Sequence, residues 1–226
     1  MTSFQPAETV TAFTGATSSN RAMMLQGSSC ETVQEIIDIA ATAEAFAVTL
    51  LGEALAASER GEFPLNPDAV GTLTAARAAE QAHFDVLTGA GAEPLTMTFT
   101  VPDPDLLTNV GMFFTTLISL EEAFIAAYTA AAQEFAIQGN ADLAKLALQI
   151  GAVEAEHRAG ARFFAIEAGA ISGVPNDVAF EKALFTSVGQ AAAALMDLGF
   201  IGGDGTEISY PGPGEIDTTG VTNLEP

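Results

Sequence analysis

The chain is 226 residues long and 49 % apolar, enough for one good-sized core with trailing arms, and this excludes a disordered polymer. It carries 29 acidic against 7 basic residues, a net charge of −22, so neither a nucleic-acid groove nor attachment to an anionic membrane is expected. Plentiful alanine and the absence of tryptophan suit closely packed helices better than a sheet.

Residues 1–28 are rich in Thr, Ser, Ala and Gly without a sustained period and read as an extended arm. Met1 to Gly15 has neither the basic start nor the apolar run of a signal peptide, and the single cysteine, Cys30, fits a reducing compartment. The expected location is cytoplasmic, with export after removal of a leader left open. Ser28 and Glu31 form a capping-box pattern that predicts a first helix from about Cys30 to Arg60, stopping at Gly61. Glu62 to Asn66 is a loop, and Pro67 suits the first turn of a second helix ending near Gly89. Leu95 to Val101 alternates apolar residues with threonine and reads as a short extended crossing segment. Asp103 and Pro104 open a third helix reaching about Gln138, with Gly111 either kinking it or marking a break near its start.

Gly139 and Asn140 turn the chain into a fourth helix ending near Ala168. A loop with Pro175 follows, then a weaker helical pattern from Asp177 to Leu198 that predicts one or two short helices. Gly199 to Pro226 is rich in Gly, Pro and Thr and reads as an extended, irregular tail. The expected organisation is an arm (1–28), an all-α four-helix bundle (29–169), a short helical extension (170–198) and a tail (199–226). A long connection between the second and third helices, flanked by two short ones, predicts a bundle with one crossover.

Both histidines of the chain follow a glutamate by three residues: Glu80 precedes His83, and Glu154 precedes His157. At the chain's glutamate frequency, two such matches arise by chance about once in 140 cases. Residues three apart share a helix face, so a carboxylate and an imidazole can reach one metal ion from a single helix. Each preceding helix offers an inward carboxylate. Glu44 is the only charge between Asp38 and Glu53 and lies in the apolar stripe Val33, Ile37, Ala40, Ala47 and Leu51. Glu121 and Glu122 are the only charges between Asp105 and Glu134; Glu121 shares a seven-residue register with Phe114 and Tyr128, and Glu122 falls on the adjoining face. The same pair makes a lipid-facing role for the apolar stretch Gly111 to Ala132 unexpected.

Glu44 and Glu80 are 36 positions apart, and Glu121 and Glu154 are 33 apart. Both separations suit antiparallel helices with their carboxylates at one bundle height. Four carboxylates in an apolar interior are prohibitive alone, and two divalent cations would cancel them. Glutamate and imidazole suit Fe and Mn, with Zn and Co possible.

These residues resemble the dimetal-carboxylate proteins of the ferritin-like superfamily, whose pattern on four successive helices is Glu, Glu-x-x-His, Glu, Glu-x-x-His. The resemblance covers about residues 30 to 168 and implies a ferritin-like bundle with metal ligands Glu44, Glu80, His83, Glu121, Glu154 and His157. The stretch Leu120-Glu121-Glu122-Ala123-Phe124-Ile125-Ala126-Ala127-Tyr128 looks like the third helix of the bacterial and plant "ferritin-like domain", or desiccation-related, group. In that group the ligand glutamate precedes a tyrosine by seven, which favours Glu121 over Glu122.

Around this set, Tyr128 either bonds a ligand or passes an electron, as a catalytic residue, or is a core tyrosine with a bonded hydroxyl. Arg77 and Arg158 either orient ligand carboxylates or form ordinary ion pairs. Glu122 and Glu156 either line a cation path or sit on a solvated face. The expected activity is that of an oxidoreductase with an Fe/Fe, Fe/Mn or Mn/Mn centre reacting with O2 or peroxide, as ferroxidases do. The alternatives are dimanganese catalase-like peroxide breakdown and an assembly protein stapled by its metals. The long arms suggest a homo-oligomer built by arm or tail exchange. Iron storage in a closed shell is less favoured, because the tail does not read as a compact fifth helix.

Overall fold

Capping side chains set where the helices begin. In the structure, a computed structural model describing residues 30–214 and 216–226, helix α1 spans Val33–Glu59. The predicted arm and Ser28 lie outside the described residues. The capping box falls at Thr32 and Glu35 instead: the Thr32 hydroxyl accepts from the Glu35 N–H (3.2 Å), and Glu35 accepts from the Thr32 N–H (2.7 Å). Helix α2 (Pro67–Gly89) follows a short loop; Asn66 accepts from the Ala69 N–H at 2.8 Å and Pro67 holds the first helical position.

The third long helix starts later than predicted. Pro104–Leu107 forms a separate 3-10 turn that buries Leu106, and the chain leaves helical geometry at Thr108. Asn109 then caps α3 (Val110–Ile137) by accepting from the Met112 N–H at 3.0 Å. The break therefore precedes Gly111, because an asparagine able to cap stands at 109. Helix α4 (Ala141–Glu167) is capped in the same way by Asn140.

Residues 177–187 are not helical; a single helix, α5, spans Gly189–Asp197. Ion pairs hold that stretch in an irregular path over the bundle: Arg162 to Asp177 (2.6 Å), Arg158 to Glu181, and Lys182 to Glu122 (3.3 Å). The predicted extended segment yields strand β1 (Thr98–Val101), and the predicted tail supplies its partner, β2 (Thr206–Ser209). The two pair antiparallel, with Phe99 opposite Ile208. Phe99 and Phe200 both pack on Phe46 of α1, at ring-centroid distances of 5.4 and 5.0 Å, and so tie the crossover to the bundle.

Sixty per cent of the described residues are helical. The α1–α2 and α3–α4 hairpins pack extensively within themselves, whereas α1 meets α3, and α2 meets α4, over short stretches only. By length and hydropathy α1 and α3 are each apolar enough to cross a membrane. In this fold their apolar stripes face the bundle core, and each buries a carboxylate, Glu44 or Glu121.

Replacing Asn66 by alanine leaves the α2 N-terminus without its cap. The expected loss is about 1 kcal/mol of stability, read as a lower denaturant midpoint with unchanged helical circular dichroism.

Candidate metal centre

The two hairpins bring all six residues singled out in the sequence into one buried cluster. Each helix pair contributes alike: Glu44 from α1 with Glu80 and His83 from α2, and Glu121 from α3 with Glu154 and His157 from α4. Glu80 and Glu154 are 0 % exposed, Glu121 2 % and Glu44 3 %, in line with their places on apolar helix faces.

Glu80 and Glu154 sit between the histidines. Glu80 Oε2 and Glu154 Oε1 lie 3.3 and 3.2 Å from His83 Nδ1. Their other oxygens, Glu80 Oε1 and Glu154 Oε2, lie 2.8 and 3.4 Å from His157 Nδ1. Glu44 Oε2 stands at the His83 end, 3.5 Å from Nδ1. Glu121 joins the His157 end. Two groups result, Glu44–Glu80–His83–Glu154 and Glu80–Glu121–Glu154–His157, in each of which the possible ligand atoms lie within 4.8 Å of one another.

The fit to metal ions rests on unpaired atoms. Glu80 Oε1, Glu121 Oε2, both oxygens of Glu154 and His157 Nδ1 are buried without a hydrogen-bond partner. Glu80 Oε1 and His157 Nδ1 are 2.8 Å apart yet not aligned for a hydrogen bond. Buried polar atoms seldom go unpaired, and atoms that crowd together without bonding one another suit a shared cation. Two groups that share two carboxylates could hold two such cations, and a set of carboxylate oxygens and imidazole nitrogens matches Fe or Mn.

The surrounding residues divide clearly. The Tyr128 hydroxyl, buried, donates to Glu44 Oε1, so the tyrosine contacts the cluster through that carboxylate. Gly151 makes room for it, since a Cβ there would lie 3.1 Å from Tyr128 Cβ. Glu122 points away and pairs with Lys182, so Glu121 is the glutamate that joins the cluster. Glu156 is exposed but lines the cleft described below. Arg77 and Arg158 touch no carboxylate of the cluster. Arg77 Nε donates to the Val48 carbonyl (3.0 Å), and Arg158 grips Glu181. Each arginine follows its helix to a different neighbour, which sequence spacing does not reveal. Sequence reasoning also missed Gln81, which is buried and accepts from the Tyr210 hydroxyl at 2.8 Å. It missed Val221 and Leu224, which line the cleft above the histidines. A glutamine beside a motif and a Gly-Thr-rich tail carry no signal for either role.

Without metal, protons balance the cluster. Burial would lower both histidines, but facing carboxylates outweigh it, Glu44 foremost at His83 and Glu80 foremost at His157, and both are held well above their ordinary 6.5. Burial, reinforced by repulsion from Glu154 and Glu80, pushes Glu44 and Glu121 well above the ordinary 4.5. Burial also acts to raise Glu80, but the His157 imidazolium prevails and holds it well below that value. Burial and the adjacent Glu44 raise Tyr128, which therefore keeps its proton. The native apoprotein thus binds more protons than the unfolded chain above pH 4.5, through Glu44 and Glu121, and above pH 6.5 through the histidines as well. Its stability is therefore expected to fall as pH rises through these windows. Thermal melts of chelator-treated protein check this, and the decline is expected to vanish when the cluster is loaded with metal.

A family model described as "Ferritin-like domain" matches residues 32–167, which holds all four long helices and the six clustered residues. Neither curated proteins nor solved structures give a match. The chain belongs to the ferritin-like domain family.

Proposed function

We propose that this protein is a dimetal-carboxylate oxidoreductase that consumes O2 or peroxide, in the manner of a ferroxidase. The observation that carries the reading is the pair of buried carboxylates, Glu80 and Glu154, each offering one oxygen to each histidine and retaining unpaired lone pairs. Glu44 and Glu121 complete the two ends of the set. When bound there, Fe or Mn supplies one-electron redox chemistry toward O2 or peroxide.

The chain's own residues would do the rest. The four carboxylates fix the spacing of the two positions and offset their positive charge. Tyr128 orients Glu44 through its hydroxyl and holds a proton at that oxygen atom, within reach of the cluster. The cleft that opens on His83, Glu121 and His157 gives a small oxidant a route from solvent.

Anaerobic titration of the apoprotein with Fe(II) or Mn(II) is expected to give two ions per chain, followed by metal oxidation on adding O2 or peroxide. Absence of uptake would sink the reading. Glu80→Gln is expected to weaken uptake roughly tenfold or more, because it neutralises a carboxylate shared by both positions. The third helix offers a sharper contrast. Glu121→Ala is expected to leave one tightly held ion per chain, whereas Glu122→Ala keeps two, since Glu122 pairs with Lys182 outside the cluster. Metal analysis after desalting distinguishes them.

A further inference from the structure

The seams between the two hairpins are closed in different ways. Helix α5 covers the seam between α1 and α3, where Leu195 packs near Phe124 and Tyr128, and the residual cavity is only about 30 Å³. The seam between α2 and α4 forms a cleft of about 1050 Å³ that reaches His83, Glu121 and His157. Its walls are made of small side chains, including Ala75, Ala79 and Ala82 on α2 and Ala152 and Gly160 on α4. O2 or peroxide needs a space close to that of one water, about 30 Å³. The cleft instead matches the upper range of organic-ligand pockets, about 300–1,000 Å³.

Charge narrows what the cleft accepts. Among the described residues that line it there is no lysine or arginine, whereas Asp68, Glu156 and Glu225 are present. Apart from His83 and His157, the described lining offers an organic anion no cationic partner against these carboxylates.

The outer wall is residues 220–226, with Val221 and Leu224 against the cleft. Val221 is half-buried and Thr222 to Pro226 are exposed. Among the described residues, the hydrogen bonds of stretch 216–226 stay within it: Val221 N–H to the Thr218 carbonyl (3.3 Å), and the Thr219 N–H and hydroxyl to Asp217 (2.9 and 2.7 Å). The preceding anchor is Tyr210, whose hydroxyl donates to Gln81 (2.8 Å), whose N–H donates to the Met97 carbonyl (2.9 Å) and whose ring packs on Phe84 (4.8 Å). The segment thus lines the cleft without a hydrogen bond to α2 or α4 among the described residues, and Tyr210 is the anchor that precedes it.

We propose that the α2–α4 cleft binds an uncharged, chain-like apolar organic molecule beside the Glu121–His157 end of the cluster, and that residues 220–226 are its displaceable cover. The position next to a metal centre rests on the dimetal reading, whereas the binding does not. Val221 and Leu224 act as the aliphatic groups that fill the cleft mouth until the ligand displaces them.

Titration of the full-length protein, metal-loaded and metal-free, with 1-octanol and separately with octanoate tests the proposal by calorimetry or ligand-observed NMR. Saturable 1-octanol binding is expected, with octanoate weaker by about tenfold or more. Gly160→Leu should reduce 1-octanol affinity about tenfold while metal content stays at two ions, because its first side-chain atom has room, 3.6 Å from Thr72 Cγ2, and the remainder extends into the cleft. Should that variant fail to fold, Gly71→Leu on the opposite wall carries the same expectation, as a Cβ there meets nothing within 4 Å. The double variant Val221→Asp, Leu224→Asp should speed 1-octanol association by loosening the cover. No saturable 1-octanol binding, equal binding of octanoate, or full affinity in the filled variants would overturn the proposal. Metal content measured on the same samples keeps the readings apart. Two ions without 1-octanol binding defeats the cleft alone, and 1-octanol binding without metal uptake defeats the dimetal centre alone.

Discussion

Four carboxylates within one apolar interior impose the constraint on which the rest of this protein depends. Burying a charge without compensation costs several kcal/mol or more, by the usual order of magnitude. Glu44, Glu80, Glu121 and Glu154 are each at most 3 % exposed, and among the described residues no lysine or arginine reaches them. Compensation must therefore come from within the cluster or from a bound cation. In the metal-free protein His83, His157, Glu44 and Glu121 favour their protonated forms, driven by burial and by the carboxylates facing them. Divalent cations bound there would take over the same balance by displacing those protons, so metal affinity would be linked to pH through these four side chains.

That constraint explains the layout around the cluster. A carboxylate-rich interior needs four helices to present it, one inward glutamate from each, and the two hairpins do so by near-repetition of one pattern. The scarce cations work elsewhere. Arg158, Arg162 and Lys182 hold the stretch 177–182 over α3 and α4, leaving the cluster free of permanent positive charge among the described residues. Positive charge fixed beside the glutamates would compete with metal for the same lone pairs.

The seams set access. Helix α5, through Leu195, together with Val188 and Ile201 closes the α1–α3 side next to Tyr128, and a small void remains there. On the α2–α4 side, alanine and glycine leave a wide cleft, and a segment without hydrogen bonds to the helices, among the described residues, lies across it. Both histidines thus line a cleft on one side of the bundle.

The sequence by itself determined the helices and the carboxylate–histidine constellation. Period, glycine stops and asparagine or proline starts are local, and so the limits of α2 and α4 were legible almost to the residue. Both histidines and their i−3 glutamates share a helix face by geometry alone, and Glu44 stood out as a lone charge in an apolar stripe. The heptad register also separated Glu121 from Glu122. What tertiary structure alone decided were the partners made across long sequence distance. Whether Asp103–Pro104 continued into α3 depended on the burial of Leu106 and the cap at Asn109. The tail's Thr206–Ser209 became a strand because β1 offered it an edge more than a hundred residues earlier. Arg77, Arg158 and Tyr128 found Val48, Glu181 and Glu44 respectively, choices set by how the hairpins and loops dock. Local periodicity carries the direction in which a side chain points, but only packing decides what it meets there.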